Sequence, residues 1–160
     1  MDKELCEVKI PNDVVGNIKQ FRNYDEVRIK KYVLRDGYLS LYMTQADKAL
    51  ALQEFKELFS TFYEVVQAQA LPEAQAYCNF IVSEDLRVFT FYMKDQAYYR
   101  DLLTAVIEPA LLMEAFYYQL YEGNEAPQVT TRYVSSDGAI IYAEKTYNHI
   151  EEPSRNQTDI

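Results

Sequence analysis

Stretches of two-residue hydrophobic alternation give way twice, along this chain, to stretches where apolar residues recur every three or four positions. The first kind predicts strands buried on one face, the second amphipathic helices. Residues 5–10 read as an opening strand that ends at Pro11. A turn-rich stretch with Asn12, Asp13 and Gly16 follows, then an irregular or short helical segment to Asp25. Residues 27–34 and 38–43 form the arms of a hairpin around Arg35-Asp36-Gly37. Asp-Gly supplies the positive φ angles that a tight hairpin turn requires. In the second arm Leu39, Leu41 and Met43 share one face, while Tyr38, Ser40 and Tyr42 share the other.

Thr44 stands where a helix N-cap belongs, with Asp47 three residues on, a weaker form of the capping box. Behind it Leu52, Phe55, Phe59, Phe62 and Val66 form a helical stripe, widened by Leu58 and Tyr63 and closed by Pro72. The plan then repeats. Residues 77–82 and 87–93 flank the polar turn Ser83-Glu84-Asp85-Leu86. Phe89, Phe91 and Met93 are the apolar set there, which turns Tyr92 outward beside Thr90. Asp95 caps a second helix that reaches about Tyr121 and stops at Gly123-Asn124, with Pro109 expected to kink or divide it. A third hairpin joins residues 128–134 and 139–147 through Ser135-Ser136-Asp137-Gly138. Residues 1–150 thus read as one domain and 151–160, polar and containing Pro153, as a disordered tail. The expected fold class is α+β: one antiparallel sheet of three hairpins, in the order ββα-ββα-ββ, with both helices on one face.

Length and composition fit this picture. With 160 residues, 49 % of them apolar and 26 % charged, the chain can hold a core without metal or disulfide staples. A net charge of −9 argues against nucleic acid or an anionic membrane surface as partner. The most apolar stretch, residues 102–121, contains Glu108, Pro109, Glu114 and Gln119, so it reads as a buried or interface helix and not a transmembrane segment. Its apolar residues cover nearly the whole circumference, which predicts a homodimer through this helix. Residues 39–46 and 89–96 each lead an aromatic-rich strand through Tyr-Met toward a helix, a local echo between the two halves.

Candidate chemistry is sparse. Cys6 and Cys78 belong to no C-x-x-C pair and His149 is the sole histidine, too few soft ligands for a zinc, haem or iron–sulfur site. The two cysteines are expected as free thiols. Gly16, Gly37, Gly123 and Gly138 are isolated, so no glycine-rich phosphate loop is present, and no cofactor is expected. A nucleophile could pair only with His149. Glu84-Asp85 falls on a turn and Glu151-Glu152 on the tail, where solvent keeps both carboxylates ionised. Glu108 and Glu114 interrupt an apolar helix, the one place where a desolvated acid/base residue could stand. The 15 tyrosines exceed what a core requires, and tyrosine brings a rigid ring and a hydroxyl to recognition surfaces at little entropic cost.

The order of features resembles a group of small cell-envelope domains of Gram-positive bacteria, usually carried on lipoproteins. The likeness rests on Pro11-Asn-Asp-Val-Val-Gly16, the Asp-Gly hairpin running into Met43-Thr44, and Glu84-Asp85-Leu86 with Phe89-Thr90-Phe91. It continues through Tyr118-Gln119 with Gly123 and the Ser136-Asp137-Gly138 hairpin, covering residues 5–148. The resemblance implies an extracytoplasmic setting and no assigned activity or catalytic residue. No basic and apolar leader precedes the domain and Cys6 has no lipobox, so the chain as written reads as cytoplasmic, and as envelope-located if a leader has been removed.

The expectation is a non-enzymatic module that binds a protein or small-molecule ligand, with Tyr38, Tyr42 and Tyr92 on the open face of the sheet as the candidate surface. Two rivals stand beside it. One is a cytoplasmic acidic protein that binds a basic partner, as an immunity or inhibitor protein does. The other is an enzyme whose site is built around Glu108 or Glu114.

Overall fold

A computed structural model describes residues 4–95 and 102–150. Its elements follow in the order β1 (Leu5–Pro11), β2 (Lys31–Leu34), β3 (Tyr38–Thr44), α1 (Gln45–Ala68), β4 (Tyr77–Val82), β5 (Val88–Met93), α2 (Leu102–Tyr121), β6 (Val129–Ser135) and β7 (Ile141–Tyr147). Short 3-10 turns occupy Ile18–Gln20 and Pro72–Ala76. The fold is α+β. The sequence segments assigned to the start of the second helix after Asp95 and to the tail from Glu151 lie outside the described residues.

The strands form two sheets, not the single antiparallel one expected. A three-stranded antiparallel sheet has the order β1-β3-β2, and a four-stranded mixed sheet the order β4-β5-β6-β7. Each expected hairpin pairs antiparallel within itself. The opening strand, however, takes the free side of β3, with Leu5 opposite Thr44 and Pro11 opposite Tyr38, so both edges of β3 are filled. Between β5 and β6 the pairing is parallel, Val88 to Met93 against Thr130 to Ser135. The intervening helix accounts for this: a long helical crossover carries the chain back along the sheet, so the next strand runs in the same direction.

Local chemistry sets the element ends. The Thr44 side chain accepts the Asp47 N–H at 3.1 Å, so α1 begins at the predicted cap. The helix stops earlier than Pro72, at Gln69 in the left-handed region (φ 53°), whose amide donates to the carbonyls of Val66 and Tyr77. At the end of α2, Gly123 (φ 97°) donates to the Leu120 carbonyl and Asn124 to that of Gln119, the double bond of a Schellman cap. Pro109 does not divide α2, which runs unbroken from Leu102 to Tyr121. Ala105 and Pro109 are both exposed, so water can take the carbonyl bond that proline leaves unmade. The first arm of the first hairpin is shorter than expected, because residues 25–29 form a turn. Asn23 Oδ1 accepts the Asp25 N–H, Asp25 Oδ1 accepts the Arg28 N–H, and Ile29 N–H bonds back to the Asp25 carbonyl. Arg28 then clamps Glu54 of α1 with two bonds of 2.6 and 2.5 Å.

Both helices serve two cores. Phe59, Phe62 and Val66 of α1 pack with Phe80, Phe89, Phe91 and Tyr133 of the mixed sheet, joined by Leu111, Ala115 and Phe116 of α2. Ala51 of α1 and Leu120 and Tyr121 of α2 pack instead with Val8, Ile10, Leu39, Leu41 and Met43 of the antiparallel sheet. Of the apolar residues of α2, Leu111, Leu112 and Phe116 pack in the mixed-sheet core and Tyr117, Leu120 and Tyr121 in the other, while Val106 stays exposed. Buried Gln119 fixes where α2 ends. Its side chain accepts from the Gln128 N–H and donates to the Gln128 carbonyl, both at 3.0 Å, holding the loop that leads into β6.

Candidate functional site

Alternation along β3 sends Leu39, Leu41 and Met43 inward, where each is at most 2 % exposed. Tyr38 and Tyr42 therefore share the outer face of the antiparallel sheet, half-buried and outside both cores. Register brings Glu7 of β1 and Lys31 of β2 opposite Tyr42, and Lys9 and Val33 opposite Ser40. The cations sit over the rings, with Lys9 Nζ 5.5 Å from the Tyr38 centroid and Lys31 Nζ 5.6 Å from that of Tyr42.

A polar network fixes the middle of this face. Arg35 donates to Ser40 Oγ at 3.0 Å and to the Tyr42 hydroxyl at 2.7 Å. Ser40, fully buried beneath these side chains, donates to Glu7 Oε2 at 2.6 Å, and the Tyr42 hydroxyl lies 3.2 Å from the same oxygen. The Ser40 hydroxyl, then Tyr42 and the charges of Lys9 and Arg35, hold the Glu7 carboxyl below its usual range. Arg35 is raised in turn, chiefly by Tyr42. Among the described residues this face carries Lys9, Lys31 and Arg35 against the carboxylate of Glu7, in a chain of net charge −9. Sequence reasoning placed the two tyrosines but missed these four charges. The alternation Glu7, Val8, Lys9, Ile10 was the available signal, and it needed the β1–β3 pairing to be read.

Tyr92 stands elsewhere. It also faces away from the core, since Phe89, Phe91 and Met93 are fully buried, but it belongs to the other sheet. Its ring lies beside Gly138 of the β6–β7 turn, where an added Cβ would come within 3.3 Å of Tyr92 Cε1. The three tyrosines do not form one surface, because the single sheet that would have joined them is two.

Between α1 and the β4–β5 turn runs an open groove of about 560 Å³. Buried Phe59, Phe80 and Leu86 form its floor and Tyr63, 47 % exposed, its helix-side wall; Ile81 lines its strand side, but its register opposite Thr90 turns its side chain toward the outer face of the sheet. Tyr63 thus lies outside the core stripe to which its spacing had assigned it.

Of the two carboxylates on α2, Glu108 is tied into the fold by hydrogen bonds and Glu114 is only partly buried. Glu108 accepts hydrogen bonds from Tyr133 and Tyr147, the latter at 2.7 Å. Burial and then the Glu108 charge hold the Tyr133 hydroxyl far above its ordinary range. Burial alone raises Glu114, and burial with the Glu114 charge raises Tyr117 beside it. His149 is exposed and bonded to Asn148, while Cys6 and Cys78 are free thiols on different sheets. Cys6 donates to the Met43 carbonyl, and burial pushes the Cys78 thiol up, away from thiolate reactivity. Among the described residues no group of three or more His, Cys, Asp or Glu side chains could hold a metal, and no helix is long and apolar enough to cross a membrane. No family model, curated protein or solved structure matches the chain.

Proposed function

We propose that this protein is a non-enzymatic binding module and that the outer face of its three-stranded sheet takes up an acidic partner protein. The observation that carries the reading is the placement of Lys9, Lys31 and Arg35 around the rings of Tyr38 and Tyr42 in a chain that is otherwise strongly acidic. Such a patch attracts and orients anionic groups while the remaining surface repels them. The Arg35–Ser40–Glu7–Tyr42 network holds the face in place before any partner arrives, so little ordering cost falls on binding. A bacterial cell-envelope setting, which rests on the sequence resemblance alone, is compatible with this role and forms part of the proposal.

Fluorescence anisotropy with a labelled peptide rich in Asp and Glu tests it. Binding is expected with the native chain and should weaken about tenfold, the equivalent of about 1.4 kcal/mol, when Lys9→Ala and Lys31→Ala are combined. It should also weaken steeply as salt rises. Equal affinity in the native chain and the double variant would remove this face from the account.

A further inference from the structure

The groove between α1 and the β4–β5 turn lies on the other sheet and owes nothing to the proposal above. Phe59, Phe80 and Leu86 reach its floor from the core, and Tyr63 leaves a large apolar surface on its helix side. At about 560 Å³ it is in the size range of sites that seat apolar groups. Its polar lining is not uniformly available. Ser83 is used by the turn, donating to Asp85 and accepting from the Arg87 and Val88 N–H groups. Lys56 stands 4.8 Å over the Tyr118 ring, drawn toward α2. Glu64 on the helix side and Glu84 on the turn side are exposed, and neither is tied up in an ion pair or hydrogen bond among the described residues. An apolar trough therefore lies between two free carboxylates.

The edge strand beside it is closed to strand addition at its centre. Asn79 Oδ1 accepts the Phe80 N–H at 2.8 Å and is itself held by Gln67 Nε2 at 2.8 Å. An occupant must therefore insert side chains and not pair its backbone. A second copy of this chain is a poor donor of such side chains: α2 has no Lys or Arg between Leu102 and Tyr121, and α1 carries Asp47, Glu54, Glu57 and Glu64 against Lys48 and Lys56.

We infer that this groove is a second binding site and that it takes the apolar face of a partner protein's amphipathic helix flanked by Lys or Arg. Apolar side chains at helical spacing fill the trough over Phe59, Phe80 and Leu86, and the flanking cations meet Glu64 and Glu84.

The probe is a fluorescein-labelled amphipathic peptide of about four helical turns, roughly 14 residues, with Leu on one face and Lys beside it. Its control replaces each Lys with Glu. The native protein should bind the Lys peptide and not the Glu peptide, as read by anisotropy. Tyr63→Ser alters an exposed position and keeps the charge, and it should weaken binding about tenfold with an unchanged circular dichroism spectrum. Combining Glu64→Gln with Glu84→Gln should weaken it by a similar factor. Full binding in all these variants would place the peptide elsewhere on an acidic surface and overturn the inference, as would no binding by the native chain. Equal binding of a neutral apolar peptide would overturn the role of the carboxylates. The Lys9→Ala, Lys31→Ala protein should bind the Lys peptide as the native chain does. Loss of binding there would mean that the two sites are one.

Discussion

The two sheets run the same plan with different materials. Both place a strand with alternating buried residues at an internal position, β3 in one and β5 in the other, and both turn tyrosines away from the core. Beneath β3 the core is mainly aliphatic, with Val8, Ile10, Ile18, Ile29, Leu39, Leu41 and Met43. Beneath β5 it is a lattice of rings, in which Phe91 stacks on Tyr133 at 4.7 Å and meets Phe62, Phe80 and Tyr77. The outer faces differ the other way. The first sheet is covered by a network of charged side chains, whereas on the second Tyr92 lies beside the Gly138 turn and Arg132 pairs with Glu144 across adjacent strands. One sheet thus concentrates charged groups outside and the other concentrates packing inside, and the proposed recognition face is the outer face of the first.

Truncations at the two internal strands should show the largest contrast. Phe91→Ala removes a fully buried ring with several aromatic neighbours and should cost about 3–5 kcal/mol. Leu41→Ala should cost less, near 2 kcal/mol in a range of about 2–5, because Tyr32 and Leu34 leave the β2 side of that core exposed and able to close in. Denaturant unfolding measures both. A larger loss at Leu41 would reverse the ranking of the two cores.

The hairpin turns offer a finer comparison. Gly37 (φ 85°) has nothing within 4 Å of an added Cβ, while Gly138 (φ 77°) has Tyr92 Cε1 at 3.3 Å. Alanine at Gly37 should cost about 1 kcal/mol from the left-handed backbone alone, and at Gly138 more than that, because the ring must also give way. Equal losses would mean that Tyr92 is free to move and that its face is more open than described.

Much of this architecture is legible in the sequence, for local reasons. Thr44 caps α1, Gly123 ends α2, and Gly37 and Gly138 make the turns because backbone conformation and nearby donors dictate each choice. Which strand meets which is not local. Nothing in residues 5–10 alone shows that they pair with β3, and the parallel joining of β5 to β6 depends on how α2 returns. The same gap affected the candidate site. Tyr38 and Tyr42 follow from alternation within one strand, whereas Glu7, Lys9 and Lys31 join them only through pairing between strands. Tyr92 joins them only in a single sheet, and the molecule has two.

Acid titration separates a carboxyl of the first sheet from one on α2. Glu7 has its folded pKa below the unfolded value, so its stabilising contribution is present above the unfolded pKa and is lost as pH falls through the folded one. Glu114 is the reverse: its folded pKa is raised, so its contribution becomes unfavourable as pH climbs from the unfolded value through the folded one. Glu7→Gln should therefore lower the melting temperature near pH 7 and Glu114→Gln should raise it; on acidification the Glu114 difference should vanish by the unfolded carboxyl range, whereas the Glu7 difference should persist to lower pH. Shifts of the same sign at pH 7 would contradict the assignment of the two environments.

The central claim is that the open face of the β1-β3-β2 sheet recognises an acidic partner while the outer face of the β4–β7 sheet does not. Two-dimensional amide NMR during titration with the Asp- and Glu-rich peptide tests it most directly. The account predicts shifts grouped at Glu7, Lys9, Lys31, Arg35, Tyr38 and Tyr42, with Thr90, Tyr92 and Arg132 unmoved. Shifts centred on Tyr92 and Arg132, or none on β1 and β3, would contradict it.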